Sequence, residues 1–160
     1  MTTKTIKTME SEYVYKCCEM QITYSTKVKA DERIAVISSK ALADAFRNFY
    51  PDGTIEYCEI MYAALLDAQY RIIGIIRCSE GALDSAMFNY KKIMQAALLC
   101  NARAIAICHN HPSGSLTPST LDKEGTRKLM EMCRVMQYKF VDHVILTAES
   151  YFSFNDNGYI

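Results

Sequence analysis

The chain has 160 residues, of which 50% are hydrophobic, so it is long enough for one compact domain with a buried core and too short for two of ordinary size. Lysine and arginine total 18 and aspartate and glutamate total 18, and this zero net charge excludes an overall field that would steer the chain towards nucleic acid or an anionic membrane. The seven cysteines include no CxxC pair, which argues against a disulfide framework or a zinc ribbon and favours the reduced thiols of a cytosolic protein.

The sequence predicts neither a membrane span nor a secretory leader. The opening residues, MTTKTIKTMESEYVYK, lack the apolar core of a signal peptide. No apolar run approaches the roughly 18 residues that indicate a membrane-spanning helix. We therefore expect a cytoplasmic protein that does not enter a membrane, and a single domain without an internal linker.

The first predicted elements are a strand or hairpin and a helix. Over residues 13–28, apolar and polar side chains alternate in stretches such as MQITYST, which is typical of a half-exposed strand appended to the domain. The serine pair at 38–39 can cap a helix over 39–50, and the PDG sequence at 51–53 ends it. The apolar face of this helix comprises Leu42, Ala45, Phe46 and Phe49.

Two strongly apolar runs follow in the segment EIMYAALLDAQYRIIGIIRC, at residues 59–78. The short polar turn DAQ between them predicts an antiparallel hairpin, and runs this apolar are expected to be central strands. A second helix is predicted over 86–100, with Asn101 as its stop. Its apolar face comprises Met87, Tyr90, Ile93, Met94, Ala97 and Leu98.

The last third of the chain predicts one buried strand, a loop, a helix and two more strands. RAIAIC at 103–108 is the buried strand, and the loop after it contains two prolines and a glycine before a helix over 119–137. FVDHVIL and YFSF are the further strands. The order helix, two strands, helix, strand, helix, strands predicts an α/β fold with a mixed central sheet flanked by helices.

A group of metal-binding side chains is predicted where the buried strand ends. His109 and His111 are two positions apart, so both imidazoles project from the same side of an extended chain. Asp122 lies in the first turn of the next helix, which the Pro/Gly loop can fold back over the strand end. Three protein ligands leave one position for water, as in catalytic zinc sites, and water bound there reaches a pKa near ~7. Glu59, before the apolar strand, is the candidate proton carrier to the leaving group.

Each of these residues also has a purely structural explanation. An HxH pair alone is a weak signal for a metal ion. Ser119 and Asp122 form the S-x-x-D pattern of a capping box, so both side chains can satisfy the free backbone N–H groups of their helix. Glu59 can be a solvated residue before a strand. Together, the strand end, the loop and the acid at the helix mouth favour a site, because they converge on one geometry.

The spacing of these residues resembles a known motif. Glu59, then His109-x-His111, seven residues, Ser119, two residues and Asp122 is similar to the JAMM signature of the MPN (JAB) metallohydrolases. Within that superfamily, HNHPSG at 109–114, TPS at 117–119 and DHVI at 142–145 resemble the bacterial RadC family, long labelled as DNA-repair proteins. The stretches EIMYAALLDAQYRIIG, GALDSA and YFSFNDNGYI fit the same family.

The resemblance implies a cytidine-deaminase-like or MPN-type fold over residues 36–160. Residues 1–35 form an N-terminal extension that the resemblance does not explain. The resemblance also implies that His109, His111 and Asp122 are ligands of Zn2+. It implies that Glu59 is the general acid and base, and that the hydroxyl of Ser119 donates to the oxyanion of a tetrahedral intermediate.

The function expected from this resemblance is zinc-dependent cleavage of a peptide or isopeptide bond in a protein or peptide substrate. The alternative is a DNA-associated accessory protein whose metal site is structural or vestigial, and it rests on the family label alone. The neutral net charge disfavours that alternative.

Four further residues beside the motif are given structural roles. His143 is predicted to point to the opposite strand face from its two neighbours, as a structural histidine or, alternatively, as an outer partner of the metal ligands. Cys108 should point away from both motif histidines into the core. Asn110 should also face away from the metal and tie down the loop, and Gly114 should supply a positive φ.

Overall fold

A computed structural model of the chain describes residues 3–6, 15–18, 23–25, 28–81 and 88–160, and for the first two ranges it describes the backbone alone. Nowhere in these ranges is a helix long and apolar enough to cross a membrane. The strands and helices, in chain order, are β1 (Thr3–Ile6), β2 (Tyr15–Cys18), α1 (Ser39–Arg47), β3 (Ile60–Leu66), β4 (Ile72–Glu80), α2 (Tyr90–Leu99), β5 (Ala104–Asn110), α3 (Thr120–Val135), β6 (Lys139–Leu146) and β7 (Tyr151–Ser153).

Five of the described strands form one mixed sheet in the order β4-β3-β5-β6-β7. β3 runs antiparallel to both β4 and β5, β5 runs parallel to β6, and β7 returns antiparallel to β6. Because a tight turn cannot join parallel neighbours, the chain crosses from β5 to β6 through α3. The predicted α/β fold with a mixed, helix-flanked sheet is confirmed.

Helices cover both faces of this sheet. On one face, Leu42 and Phe46 of α1 are fully buried against side chains of β3, β5 and β6. On the other face, Ile93 of α2 and Leu129 of α3 are fully buried against alternate side chains of β3 and β5. Burial of side chains of this size contributes ~1.5–3 kcal/mol each. Since β3 and β5 are buried on both faces, their sequences are continuous apolar runs rather than alternating ones.

The first helix is shorter than predicted. The Ser38 side chain accepts a hydrogen bond from Ala41 N at 3.1 Å, which confirms the predicted cap at the start of α1. The helix ends at Arg47 rather than at residue 50, because a turn begins at the next position. Phe49 therefore lies beyond the helix and is 45% exposed, so its predicted place on the apolar face is wrong.

The second helix begins later than predicted and has a narrower buried face. Asn89 caps α2 by accepting a hydrogen bond from Lys92 N, so the helix starts at Tyr90, and residues 86–87 of the predicted helix lie outside the described residues. Leu98 is 52% exposed, so its predicted burial is wrong. Asn101 adopts a φ of 52° and confirms the predicted stop. The buried face comprises Ile93, Met94 and Ala97.

The predicted hairpin is formed by β3 and β4, and the turn between them is held by Asp67, whose Oδ1 accepts from Gln69 N and Arg71 N. β4 is an edge strand of the described sheet, so the prediction that both runs are central is wrong for this one. Its apolar sequence has another cause, because Ile73 and Ile76 pack on one face of the sheet while Ile72 and Ile75 pack on the other.

Of the strand or hairpin predicted over residues 13–28, the described residues confirm one strand, β2 (Tyr15–Cys18), while its partner β1 (Thr3–Ile6) precedes the predicted range and residues 23–25 are not in a strand. The backbone of β1 pairs with that of β2 in antiparallel register, from Thr3 opposite Cys18 to Ile6 opposite Tyr15, as a separate two-stranded sheet. Residues 13–14, 19–22 and 26–27 of the predicted range lie outside the described residues. Further along, Tyr24 donates its hydroxyl hydrogen bond to Ile73 O on β4 at 2.9 Å.

Candidate metal centre

Three chain segments meet at one edge of the sheet because of the strand directions. β5 ends there, and the crossover places the first turn of α3 at the same edge. β3 is antiparallel to β5, with Met61 opposite His109, so β3 begins at this edge and Glu59 precedes it at the level of His111. The end of β5, the start of α3 and the approach to β3 therefore bring the predicted site residues into one region.

The two motif histidines and Asp122 converge, as predicted. His109 Nε2 lies 2.9 Å from His111 Nε2 and 3.3 Å from Asp122 Oδ1, while His111 Nε2 lies 3.7 Å from Asp122 Oδ2. One ligand atom from each residue lies within 4.8 Å of the other two. The side chains of His109 and Asp122 are 0% and 1% exposed, and that of His111 is 11% exposed. This group of three could hold a metal ion.

Asp122 forms the capping box that its sequence pattern predicted, and one of its carboxylate oxygens is left facing His109. Its Oδ2 accepts hydrogen bonds from Ser119 N at 2.7 Å and from Ser119 Oγ at 2.6 Å, and Ser119 Oγ accepts from Asp122 N, so the capping box is formed. Among the described residues, Asp122 Oδ1 is buried and has no hydrogen-bond donor. A buried anionic oxygen without a donor is costly unless a cation lies beside it.

His111 is oriented by the loop that follows it. Its Nδ1 lies 2.8 Å from Ser115 O, and since a carbonyl oxygen only accepts, Nδ1 is the donor. In the neutral ring, Nε2 is then unprotonated and faces His109 and Asp122. The loop turns at Gly114, whose φ of 76° confirms the predicted positive value and whose N donates to His111 O.

The donor set fits a divalent ion. Two imidazole nitrogens and one carboxylate oxygen are ligand types of catalytic zinc sites and also suit other first-row metals. The unpaired Asp122 Oδ1 is the observation in this structure that indicates such an ion.

The charges of the three side chains follow from their burial and from one another. Burial lowers the pKa of His109 to about 4, although the Asp122 carboxylate opposes this shift. The adjacent Asp122 carboxylate raises the pKa of His111. Burial alone would raise the pKa of Asp122, but the two histidines and the donors from Ser119 hold it below its usual range. Asp122 is therefore ionised and His109 neutral at pH 7.

Glu59 lies in a cleft of about 760 Å3 that opens beside the group of three. The carboxyl group is half-buried, and burial raises its pKa, while nearby His111 opposes that shift and nearby Asp122 adds to it. Glu59 is thus electrostatically coupled to two of the candidate ligands, unlike a solvated residue before a strand. The cleft is lined by Tyr57, Cys58, Glu59, Glu80, Gly81, Pro112 and Ser113.

Asn110 and Cys108 point away from the histidines, as strand alternation predicted. Cys108 is fully buried in the core on the α1 face. Asn110 is also fully buried and holds a loop, but the loop is the one before β3 rather than the one after His111. Its Oδ1 accepts from Ile60 N, and its Nδ2 donates to Ile55 O and Cys58 O, all at 2.8 Å.

The structure places His143 beside the site, in agreement with the alternative that the sequence left open. His143 Nε2 lies 2.7 Å from His109 Nδ1, and His143 Nδ1 lies 2.6 Å from Thr126 Oγ1. Thr126 was not predicted as part of the site. Its position four residues after Asp122, on the same side of a helix, was the available signal.

The sequence matches the family of RadC-like JAB domains over residues 13–159. Several curated bacterial proteins are also similar to it. A UPF0758 protein of Haemophilus ducreyi is 36% identical over 115 residues, which cover 72% of this chain and 52% of that protein. A UPF0758 protein of Burkholderia cenocepacia is 33% identical over 132 residues, covering 82% and 50%. The chain spans about half the length of the curated relatives it matches.

Proposed function

The chain belongs to the family of RadC-like JAB domains, and on this basis we propose that it is a zinc-dependent hydrolase that cleaves a peptide or isopeptide bond. The JAB family includes metallohydrolases, and the His109, His111 and Asp122 group supplies the ligand set that such a hydrolase requires. The single observation that supports the proposal most is the convergence of His109 Nε2 and His111 Nε2, 2.9 Å apart, on the buried Asp122 carboxylate, whose Oδ1 has no hydrogen-bond partner among the described residues.

The three ligands have complementary tasks. His109 and Asp122 are buried and would set the position of the ion, while His111 is the most exposed of the three. When bound, zinc supplies Lewis acidity that polarises a carbonyl group and lowers the pKa of a water molecule. Asp122 contributes the one negative charge of the set, and its capping box keeps Oδ2 in place while Oδ1 faces the site.

Glu59 is proposed as the general acid and base. A group that first takes a proton from water and then gives it to a leaving amine works best when its pKa is close to the working pH. Partial burial shifts the pKa of Glu59 in that direction. Its place in the cleft next to Pro112 and Ser113 leaves the carboxyl group accessible to a substrate.

Ser119 is proposed as a hydroxyl donor to the oxyanion of the tetrahedral intermediate. In the structure its hydroxyl donates to Asp122 Oδ2 at 2.6 Å, so it orients a ligand in this state. To serve an oxyanion, the hydroxyl would rotate away from Oδ2, which retains the hydrogen bond from Ser119 N.

Metal analysis beside a hydrolysis assay tests this function. Purified wild type, loaded with zinc and freed of excess, should contain about one zinc ion per chain, whereas His109→Ala and Asp122→Asn should contain little. Asp52→Asn, a change at an exposed aspartate, is the matched control and should bind zinc as wild type does.

The zinc-loaded protein is then assayed on fluorogenic peptides and on lysine isopeptides. Cleavage that a chelator abolishes and that zinc restores would support the hydrolase. Stoichiometric zinc without cleavage of any member of the panel would count against hydrolysis but not against the metal centre.

A further inference from the structure

A series of buried, hydrogen-bonded polar groups runs from the candidate ligand His109 into α3. His109 Nδ1 lies 2.7 Å from His143 Nε2, His143 Nδ1 lies 2.6 Å from Thr126 Oγ1, and Thr126 Oγ1 lies 2.6 Å from Asp122 O. His109 and His143 are 0% exposed and Thr126 is 2% exposed. The positions of the protons along this series can be deduced by starting at Thr126.

The Thr126 hydroxyl determines which atom donates and which accepts in each of these hydrogen bonds. It carries one proton, and its partner Asp122 O is a carbonyl oxygen that can only accept, so the hydroxyl donates to Asp122 O. At 2.6 Å from His143 Nδ1, the same oxygen must then act as acceptor, because two acceptors would repel each other at that distance. His143 Nδ1 therefore carries a proton.

The same logic continues to the metal ligand. Both ring nitrogens of His143 are used by Thr126 and His109, and a fully buried imidazolium would be costly, so the ring is neutral with an unprotonated Nε2. That Nε2 accepts from His109 Nδ1, which must carry the proton of the His109 ring. His109 Nε2 is left with a free lone pair, which faces His111 Nε2 and Asp122 Oδ1.

Aromatic packing holds the His143 ring in place within this hydrogen-bonded series of His109, His143 and Thr126, which we call the relay. Phe154 stacks on it with ring centroids 4.5 Å apart, and Phe88 meets it edge-on at 5.8 Å. Phe88 in turn lies against Gly125 of α3, where a Cβ atom would overlap its ring. The ring of His143 therefore has little freedom to turn and exchange the roles of its two nitrogens.

We propose that Thr126 and His143 are positioning residues that hold His109 in the tautomer whose Nε2 is free to bind a metal ion. The proposal rests on the proposed metal centre but not on hydrolysis. Outer partners of metal-binding histidines are commonly carboxylates, carbonyls or water. Here a neutral imidazole performs that task, so the tautomer is set without a second negative charge beside Asp122 in the buried pocket.

Nuclear magnetic resonance of the imidazole nitrogens tests the tautomers directly. The chain has three histidines, all of them at this site, so every ring signal belongs to it. Wild type labelled with 15N should show Nδ1–H for His143 and for His109, with and without zinc. A His143 ring protonated at Nε2 would overturn the proposal, and this result does not depend on whether any substrate is cleaved.

Two variants of Thr126 give a second readout. Thr126→Val removes the acceptor of the His143 Nδ1–H while keeping the shape, so the His143 ring loses its tautomer preference and zinc affinity should fall ~10–100-fold. Thr126→Ser keeps the hydroxyl and should restore both the tautomer and an affinity close to wild type. Affinity is measured by competition with a chromophoric chelator, after circular dichroism has shown that both variants fold. Equal affinity of Thr126→Val and wild type would contradict the proposal.

The outcomes separate this proposal from the proposed function. If wild type bound no zinc, the metal centre would be wrong, and the ring tautomers of the metal-free protein would still decide whether the relay exists. If zinc bound and the tautomers were as deduced while no peptide was cleaved, the relay would hold and hydrolysis would fail.

Discussion

Asn110 holds the backbone on both sides of Glu59. Its amide accepts a hydrogen bond from Ile60 N and donates one to Cys58 O, each at 2.8 Å, from the side of β5 that faces away from the histidines. β5 therefore carries the candidate ligand His109 on one face, with His111 directly after its end, and on the other face the side chain that anchors the candidate general base.

Replacing Asn110 should loosen this anchor without removing a ligand. Asn110→Ala leaves Ile60 N, Ile55 O and Cys58 O without this partner. Only the first of these hydrogen bonds is buried and the other two are partly buried, so at ~1–3 kcal/mol for a fully buried group the free energy of unfolding in urea should fall by about 2–5 kcal/mol. The zinc content of Asn110→Ala should stay close to that of wild type, while the rate of any hydrolysis should fall. Asn48→Ala, at an exposed asparagine, is the control and should leave stability, zinc content and hydrolysis unchanged. Unchanged stability of Asn110→Ala would show that the three hydrogen bonds are dispensable.

Glu59→Gln should separate catalysis from metal binding. The amide cannot carry the proton, so hydrolysis should fall by ~10²–10⁴-fold, while zinc content stays the same because Glu59 is not in the ligand group. Glu56→Gln changes an exposed carboxylate three positions earlier and serves as the matched control. Full activity of Glu59→Gln on a verified substrate would rule out Glu59 as the proton carrier.

Gly125→Ala should destabilise the protein, contrary to the usual effect in a helix. In an exposed helix this change stabilises by up to ~1 kcal/mol. Here the added Cβ overlaps the Phe88 ring that packs on His143, so we expect a loss of ~1–3 kcal/mol by urea unfolding. Zinc affinity should fall as well, because the His143 ring gains freedom. Higher stability of the variant would show that Phe88 moves aside without penalty.

The metal-free protein should lose stability as pH falls from about 6.5 towards 4. His109 has a pKa of about 4 in the folded state against an ordinary 6.5. Between these pH values the unfolded chain binds a proton at His109 that the native state does not bind, so lowering the pH favours unfolding. The pKa of His143 is also lowered and adds to the effect, whereas the raised pKa of His111 opposes it. Urea unfolding in a chelating buffer at pH 7 and pH 5 measures the difference, and equal or greater stability at pH 5 would contradict the expected sign.

Duplex DNA should bind weakly or not at all. Affinity for DNA depends mainly on positive charge that neutralises phosphates, and the chain has a net charge of zero. A titration with labelled duplex at low salt should show no measurable binding. Tight binding that weakens steeply as salt is added would instead favour the DNA-associated alternative.

Local patterns were sufficient to predict most elements and the three candidate ligands. Apolar runs predicted β3 and β5, and alternation along β5 correctly placed His109 on the opposite face from Cys108 and Asn110. The S-x-x-D pattern located the start of α3 and with it Asp122. These features depend on near neighbours in the chain, where the two-residue repeat of a strand and the capping of a helix act directly.

The tertiary structure alone decided which strand lies at the edge of the sheet and what surrounds the ligands. β4 and β3 are similarly apolar, and only the sheet order makes β4 an edge strand. His143 reaches His109 because β6 pairs in parallel with β5, with Ile107 opposite His143, and Thr126 reaches His143 through the packing of α3. Such contacts join residues that are distant in the chain, so the register between strands and the packing of a helix on them determine the contacts, and neither can be deduced from the periodicity of a single segment.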